Sequence, residues 1–200
     1  HFIQNRSIFD DYSVGSFEND AINFLDDFFK KQSKVIMVGG SGLYVDAVTK
    51  GLDDFPKVDP GIRDQLKLDL KELGIEALQK RLADLDPATY NKMDIHNQQR
   101  LIRALEISIG AEHPFSYYKT SNFKKRSFKN IKIGLEAERE IIYDRINQRV
   151  DNMISSGLVE EAEKLYPFRH LNALQTVGYR ELFTHFDGKL SLDQAVSEIK

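Results

Sequence analysis

The stretch VIMVGGSGLY, Val35 to Tyr44, restricts the possible folds more than any other part of the chain. Lys34–Val38 is short, rich in β-branched residues and apolar on both faces, which predicts a central strand of a parallel sheet. Gly39, Gly40, Ser41 and Gly42 then form a glycine turn. A helix is expected from about Gly42 to Gly51. Residues 16–32 precede the strand and place Phe17, Ala21, Phe24, Leu25 and Phe28 on one helical face. Helix, buried strand, glycine turn, helix is an α/β layer pattern. Ligands bind at the carboxyl end of such strands. Glycines let a ligand approach the backbone, the next helix's N-terminus favours anions, and the Ser41 hydroxyl adds a contact. The alternative is a tight structural turn. No lysine sits in the loop and no Gly-Lys-Ser/Thr follows, so it is not a Walker A loop.

Beyond Phe55-Pro56 the pattern becomes helical. Asp59-Pro60 and Asp86-Pro87 each pair an N-cap with proline at the first helical position. Ile62, Leu66, Leu70 and Leu73 make one stripe. Ile75, Leu78, Leu82 and Leu85 make a second, with Gly74 between them. This is a helical hairpin, and a third helix is expected from about Asn97 to Ile109. Ile131–Leu135 is a second candidate strand. A long helix follows, carrying Ile142, Ile146, Val150 and Met153, and breaks at Ser155-Ser156-Gly157. Leu158–Leu165 restarts a helix, and Ser191 with Gln194 makes a capping box for a last one. Two strands are too few for a doubly wound sheet. Further strands are therefore expected ahead of His1, and the chain is read as cut at both ends. The expected division is 1–56 as part of an α/β core, 57–130 as a mainly helical segment with a basic arm, and 131–200 as the last core strand followed by helices.

With 41% hydrophobic and 30% charged residues among 200, the composition is that of a globular protein. The absence of cysteine excludes disulfides, thiolate zinc sites and a cysteine nucleophile. No apolar run approaches the roughly 20 residues that span a bilayer. The five histidines form no metal-ligand spacing with one another or with a carboxylate, so no metal site is read in this chain. A net charge of −3 gives no global attraction to nucleic acid, so such binding needs a local basic patch.

Three segments supply candidates. In QRLIRALE, Arg100 and Arg103 share a helix face, and two guanidiniums in a fixed pair suit phosphate. The alternative is a solvated face. From Tyr117 to Lys132 the residues Lys119, Lys124, Lys125, Arg126, Lys129 and Lys132 occur without one acid, interleaved with Tyr117, Tyr118, Phe123 and Phe128. Cations for phosphates and rings for stacking are the composition of a single-stranded RNA contact. The alternative is a solubilising loop. In LQTVGYRE, Gly178 within a helical pattern costs about 1 kcal/mol against alanine and often permits close packing. Arg180 beside it points at a ligand or is a surface arginine.

HFI, SVGSFENDA, VGGSGLY, QRLIRALE, GLVEEAEKL, LQTVGYRE, FDG and SLDQAVSEIK occur in one order over nearly the whole chain. In that order and spacing the sequence resembles the tRNA dimethylallyltransferases, also called tRNA isopentenyltransferases. The resemblance implies a P-loop NTPase/kinase-like parallel-sheet core with a mainly α-helical insertion. It implies transfer of a dimethylallyl group from dimethylallyl diphosphate to the exocyclic N6 amine of the adenosine 3′ of the tRNA anticodon, assisted by Mg2+. By the same resemblance Ser41, Arg63 and the stretch Gln99, Arg100, Leu101, Ile102 and Arg103 contact tRNA, and Arg180 faces the diphosphate. His1 matches a histidine of the family's HH motif. Gly39, Gly40, Lys124, Lys125 and Arg126 are further possible contacts. The family's phosphate loop, its acidic general base and the ligands of Mg2+ are expected outside this chain, and the 200 residues alone are expected to be inactive. A cytoplasmic monomer is expected, with no membrane partner.

Two departures stand out. Gln4 replaces the aspartate of the family's HHxID, and His96-Asn97-Gln98 replaces Asn-Asp-Pro, which leaves open the residue that caps the QRLIRALE helix. Two other readings of the residues remain: a P-loop kinase of a small metabolite, and a non-catalytic RNA-binding module.

Overall fold

The computed structural model describes residues 1–120 and 124–200. These form two compact units, one of residues 13–130 and one of residues 1–12 with 131–200. Residues 13–56 fall in the same compact unit as the helices that follow, and ion pairs described below link the two parts.

In the first unit, α1 (Val14–Phe28) is capped by Ser13, whose hydroxyl accepts from the Ser16 N–H at 3.1 Å. It packs on α2 (Gly42–Thr49) through Ala21, Ala47 and Val48, with the Phe17 and Tyr44 rings 4.8 Å apart. Helices α3 (Pro60–Leu73) and α4 (Ile75–Leu85) are the expected hairpin, with Gly74 at φ +81° in the joint. A short turn of helix, α5 (Pro87–Tyr90), leads to α6 (Gln98–Gly110). Leu66, Leu78, Leu82, Leu101, Ala104 and Leu105 form the core shared by α3, α4 and α6. Asn97 caps α6, its side chain accepting from the Arg100 N–H at 3.1 Å. The His96-Asn97-Gln98 departure thus retains a good capping residue.

Asp86 is buried and fastens the following segment. Its carboxylate accepts from the Thr89 N–H, the Thr89 hydroxyl and, 30 residues on, the Ser116 N–H at 2.8 Å. Burial pushes this carboxyl up, but the hydrogen bonds from Thr89 and Ser116 outweigh burial and hold it below the ordinary carboxylate value. Ser116 lies in α7 (Phe115–Tyr118), a single helical turn.

In the second unit, α8 (Arg139–Ser155) ends where expected, and Gly157 at φ +98° starts α9 (Leu158–Leu165). Helices α10 (Tyr179–Phe186) and α11 (Leu192–Ile199) complete it. Leu158, Ala162, Leu174, Leu182, Phe183 and Ala195 form its core, with Ile8 packed against it. The Ser191–Gln194 capping box forms as the spacing predicts.

No strand forms among the described residues. The two expected strands, Lys34–Val38 and Ile131–Leu135, lie outside regular structure, with Ile36 at 87%, Val38 at 90% and Leu135 at 96% exposure. The reason is physical. A strand's N–H and C=O groups are satisfied only by a neighbouring strand, and a β-branched run without a partner has no ladder to join. The hydrophobic pattern specifies strand character, but not the partner.

Two stability measurements follow. A Cβ on Gly110 would sit 2.7 Å from the Val58 Cβ and 2.8 Å from the Ile62 Cδ1, so Gly110→Ala should overpack this corner and cost about 1–3 kcal/mol in urea denaturation. Asp86→Ala should cost about 0.5–2 kcal/mol at neutral pH through loss of its cap. The folded carboxyl titrates below its ordinary value of 3.8, so its contribution is complete above that value and fades as pH falls through the lowered one. The stability gap between Asp86→Ala and wild type should therefore close in strong acid, and a gap independent of pH would exclude a charged Asp86.

Candidate nucleic-acid interface

Helix α6 separates its two faces sharply. Leu101, Ala104 and Leu105 are fully buried, so Leu101, expected among the contact residues, has its side chain in the core. On the outer side Gln99 and Arg100 are exposed, and Ile102 and Arg103 are partly so. Among the described residues no acceptor meets the Arg100 guanidinium.

Arg103 does not stand alone. Its Nη1 donates to Glu106 Oε2 at 2.9 Å, and from α3 the Arg63 Nη2 and Nε donate to the same oxygen at 2.8 and 3.2 Å. The glutamate side chain is 8% exposed, and the arginines are 41% and 45% exposed. A buried carboxylate is tolerable only when paired, and two guanidiniums around one oxygen supply that pairing. The Arg103 guanidinium also lies 5.5 Å from the Phe55 ring centre, and that ring stacks on Phe115 at 4.8 Å. Nothing in the sequence singles out Glu106, because a glutamate three residues after an arginine on a helix reads as a surface pair.

Between α3 and α6 lies a cleft of about 310 Å³, lined by Arg63, Lys67, Leu70, Gln98, Gln99 and Ile102. Arg63, Gln99 and Ile102 therefore line one cleft, with Arg63 and Lys67 on the α3 side and Gln98, Gln99 and Ile102 on the α6 side.

Ser41 is the exposed N-cap residue of α2, and its side chain makes no cap hydrogen bond. A Cβ on Gly39, Gly40 or Gly42 would meet nothing within 4 Å, and none of the three has positive φ. The described residues thus give no packing or backbone reason for glycine there.

The basic arm splits. Arg126 is largely buried. Its Nη2 donates to Glu18 Oε1 at 2.6 Å and to the Ala47 carbonyl at 2.7 Å, and its Nε donates to the Val48 carbonyl at 2.9 Å. Glu18 also accepts from the Leu52 N–H, so Arg126 knots α1 to the C-terminal carbonyls of α2, where a cation is favoured. Lys124 pairs with Asp54 at 2.7 Å, and its side chain crosses Gly51, where a Cβ would come within 2.7 Å. Two cations expected to face outward are therefore spent on internal pairs. Lys125 and Tyr117 are exposed. Phe123 lies outside the described residues.

In the second unit, Gly178 takes φ +100°, a conformation open to glycine, and a Cβ there would meet nothing within 4 Å. Backbone geometry, not the expected close packing, accounts for it. Its N–H donates to Glu181 at 2.7 Å, starting α10. The Tyr179 hydroxyl donates to Glu161, and burial together with that carboxylate pushes it up to about 12. Arg180 is half exposed, its guanidinium 3.3 Å from Glu181 Oε1, in the first turn of a helix whose dipole opposes a cation. His1 is exposed. Among the described residues no group of three or more His, Asp or Glu side chains could hold a metal ion, and no helix is long and apolar enough to cross a membrane. The described residues therefore offer no ligand set for Mg2+.

The chain is 60% identical over 200 residues to a tRNA dimethylallyltransferase of Christiangramia forsetii, with all of this chain aligned to 66% of that protein. It is 50% identical over 206 residues to the same-named protein of Flavobacterium johnsoniae, covering 67% of it. The chain thus spans about two thirds of the length of the curated relatives it matches. Among solved structures, the full-length tRNA isopentenylpyrophosphate transferase of Bacillus halodurans superposes with a TM-score of 0.62 at 32% identity, over 100% of this chain and 62% of that one. The tRNA delta(2)-isopentenylpyrophosphate transferase of Staphylococcus epidermidis gives 0.57 at 28%, over 98% and 65%. A family profile described as IPP transferase matches residues 1–200, and with these relatives it establishes that the chain belongs to the IPP transferase family.

Proposed function

We propose that these residues are the tRNA-facing part of a tRNA dimethylallyltransferase. The observation that carries this reading is the α3–α6 face, where Arg63, Gln99, Arg100 and Arg103 converge beside a polar cleft on a rigid helical core. Fixed guanidiniums bind phosphate in two-pronged fashion, which positions an RNA backbone without reading its sequence. Ser41 and the open glycine turn at Gly39 and Gly40 contact the same RNA, and Lys125 with Tyr117 extends the basic aromatic margin. Arg180 neutralises the departing diphosphate.

The reaction joins the N6 of the adenosine 3′ of the anticodon to the allylic C1 of dimethylallyl diphosphate. The C1–O bond breaks, diphosphate leaves, and a base takes the proton lost by the amine. The adenine must leave its stack to expose that amine. Water must be kept out, because an allylic diphosphate otherwise hydrolyses. This chain supplies RNA positioning and a cation for the leaving group. Residues 1–56 and 131–200 contribute to a P-loop-type parallel sheet, with 57–130 partly inserted. Segments 34–38 and 131–135 become strands when pairing partners from the rest of the protein cover their exposed apolar side chains. Mg2+, the phosphate loop and the general base belong to that remainder.

The test is isoprenoid transfer by the full-length protein. Labelled dimethylallyl diphosphate should place its label on N6 of that adenosine and release diphosphate. A phosphorylated small product would mark a kinase, and tRNA binding without transfer would mark a non-catalytic RNA-binding module. In the same protein, Arg100→Ala with Arg103→Ala should weaken tRNA binding roughly 10- to 100-fold and reduce its salt dependence by about two phosphate contacts. Isoprenoid binding should stay nearly intact. Unchanged tRNA affinity would remove these arginines from the site.

A further inference from the structure

We infer that Glu106 is a positioning residue for RNA binding, its buried carboxylate holding Arg63 and Arg103 in the orientation that a phosphate group requires. This rests on the reading of the α3–α6 face as the tRNA surface. Glu106 sits on α6 between the core and the outer face, with its side chain 8% exposed. One of its oxygens, Oε2, accepts from both arginines, at 2.8 Å and 2.9 Å for the closest nitrogens. The shared oxygen therefore holds the two guanidiniums side by side.

The geometry also leaves each guanidinium a working edge. Arg63 spends Nε and Nη2 on Glu106, and Arg103 spends Nη1. Among the described residues no acceptor meets the Arg63 Nη1 or the Arg103 Nε and Nη2. Both side chains are close to half exposed. An arginine on a free stem must lose rotamer freedom when it binds. One already tied at its inner edge loses less, and the saving appears as affinity. A second restraint acts on Arg103, whose guanidinium lies over Phe55. The local charge is net positive, two cations to one anion, so Glu106 orients the pair without cancelling it. Lysine could not serve at either position, since it lacks the fork that contacts two acceptors on different edges.

Glu106→Gln in the full-length protein tests this. It keeps shape and removes the charge that locks both arginines. Affinity for an anticodon stem–loop should fall roughly tenfold, while the KM for dimethylallyl diphosphate and the melting temperature stay close to wild type. The salt dependence of RNA binding should not weaken, because no cation has been removed. In a protein already carrying Arg63→Ala and Arg103→Ala, Glu106→Gln should have no further effect on RNA affinity. A merely structural glutamate would lower affinity there as well and would move the isoprenoid KM, which overturns the inference. Tighter RNA binding by Glu106→Gln would show that Glu106 only neutralises the arginines and would overturn it too. Should Glu106→Gln fold poorly, Glu106→Asp keeps the charge but draws the oxygen back by one methylene. It must show the same RNA-specific loss, and full affinity there refutes the inference. If Arg63→Ala and Arg103→Ala leave affinity unchanged, the tRNA surface itself is misassigned. If they weaken it while Glu106→Gln does not, only the role of Glu106 fails.

Discussion

Helix α6 must bury three side chains completely and keep two arginines near the surface, all within six residues. Leu101, Ala104 and Leu105 lock it against α3 and α4, so the helix has no freedom to rotate. Fixing that rotation fixes where Arg100 and Arg103 point. The Glu106 carboxylate then links α6 to α3 through Arg63, across 43 residues of sequence. A buried carboxylate would be expensive if either helix shifted and left it unpaired, so the charge pair and the apolar core enforce the same alignment. The basic face of this unit is therefore a consequence of its core, and a change in core packing should be felt at the arginines.

The basic arm shows the other use of charge. Arg126 closes the ends of α1 and α2 by satisfying Glu18 and two terminal carbonyls of α2 at once. Lys124 reinforces it from Asp54, across Gly51. A run of cations without acids reads naturally as an RNA-binding strip. Folding instead spends its better-placed members on anions that lie 70 or more residues earlier. Exposed Lys125 keeps the solvent-facing role.

The helices were legible in the sequence because their determinants are local. Leucine stripes at helical spacing, Asp-Pro starts, the Ser191 capping box and the Gly157 break all act within one or two turns. The strands were not realised, because a strand is defined by its neighbour, and Ile36, Val38, Ile133 and Leu135 have none among the described residues. At the site, periodicity placed Arg100 and Arg103 on one face. The same periodicity turns Leu101 to the opposite side, which the core buries; only the resemblance counted Leu101 as a contact. Glu106 carries no signal in the sequence, because its importance arises from Arg63 on another helix. The need for glycine at 178 lies in its positive φ, which sequence alone does not report.

The central claim is that the α3–α6 face, held by Glu106, is where tRNA lies. The most direct measurement is a crystal structure of the full-length protein with an anticodon stem–loop. The account predicts phosphate oxygens within hydrogen-bond distance of Arg63 and Arg103 while both still contact Glu106. RNA seated elsewhere, with this face open to solvent, would contradict it.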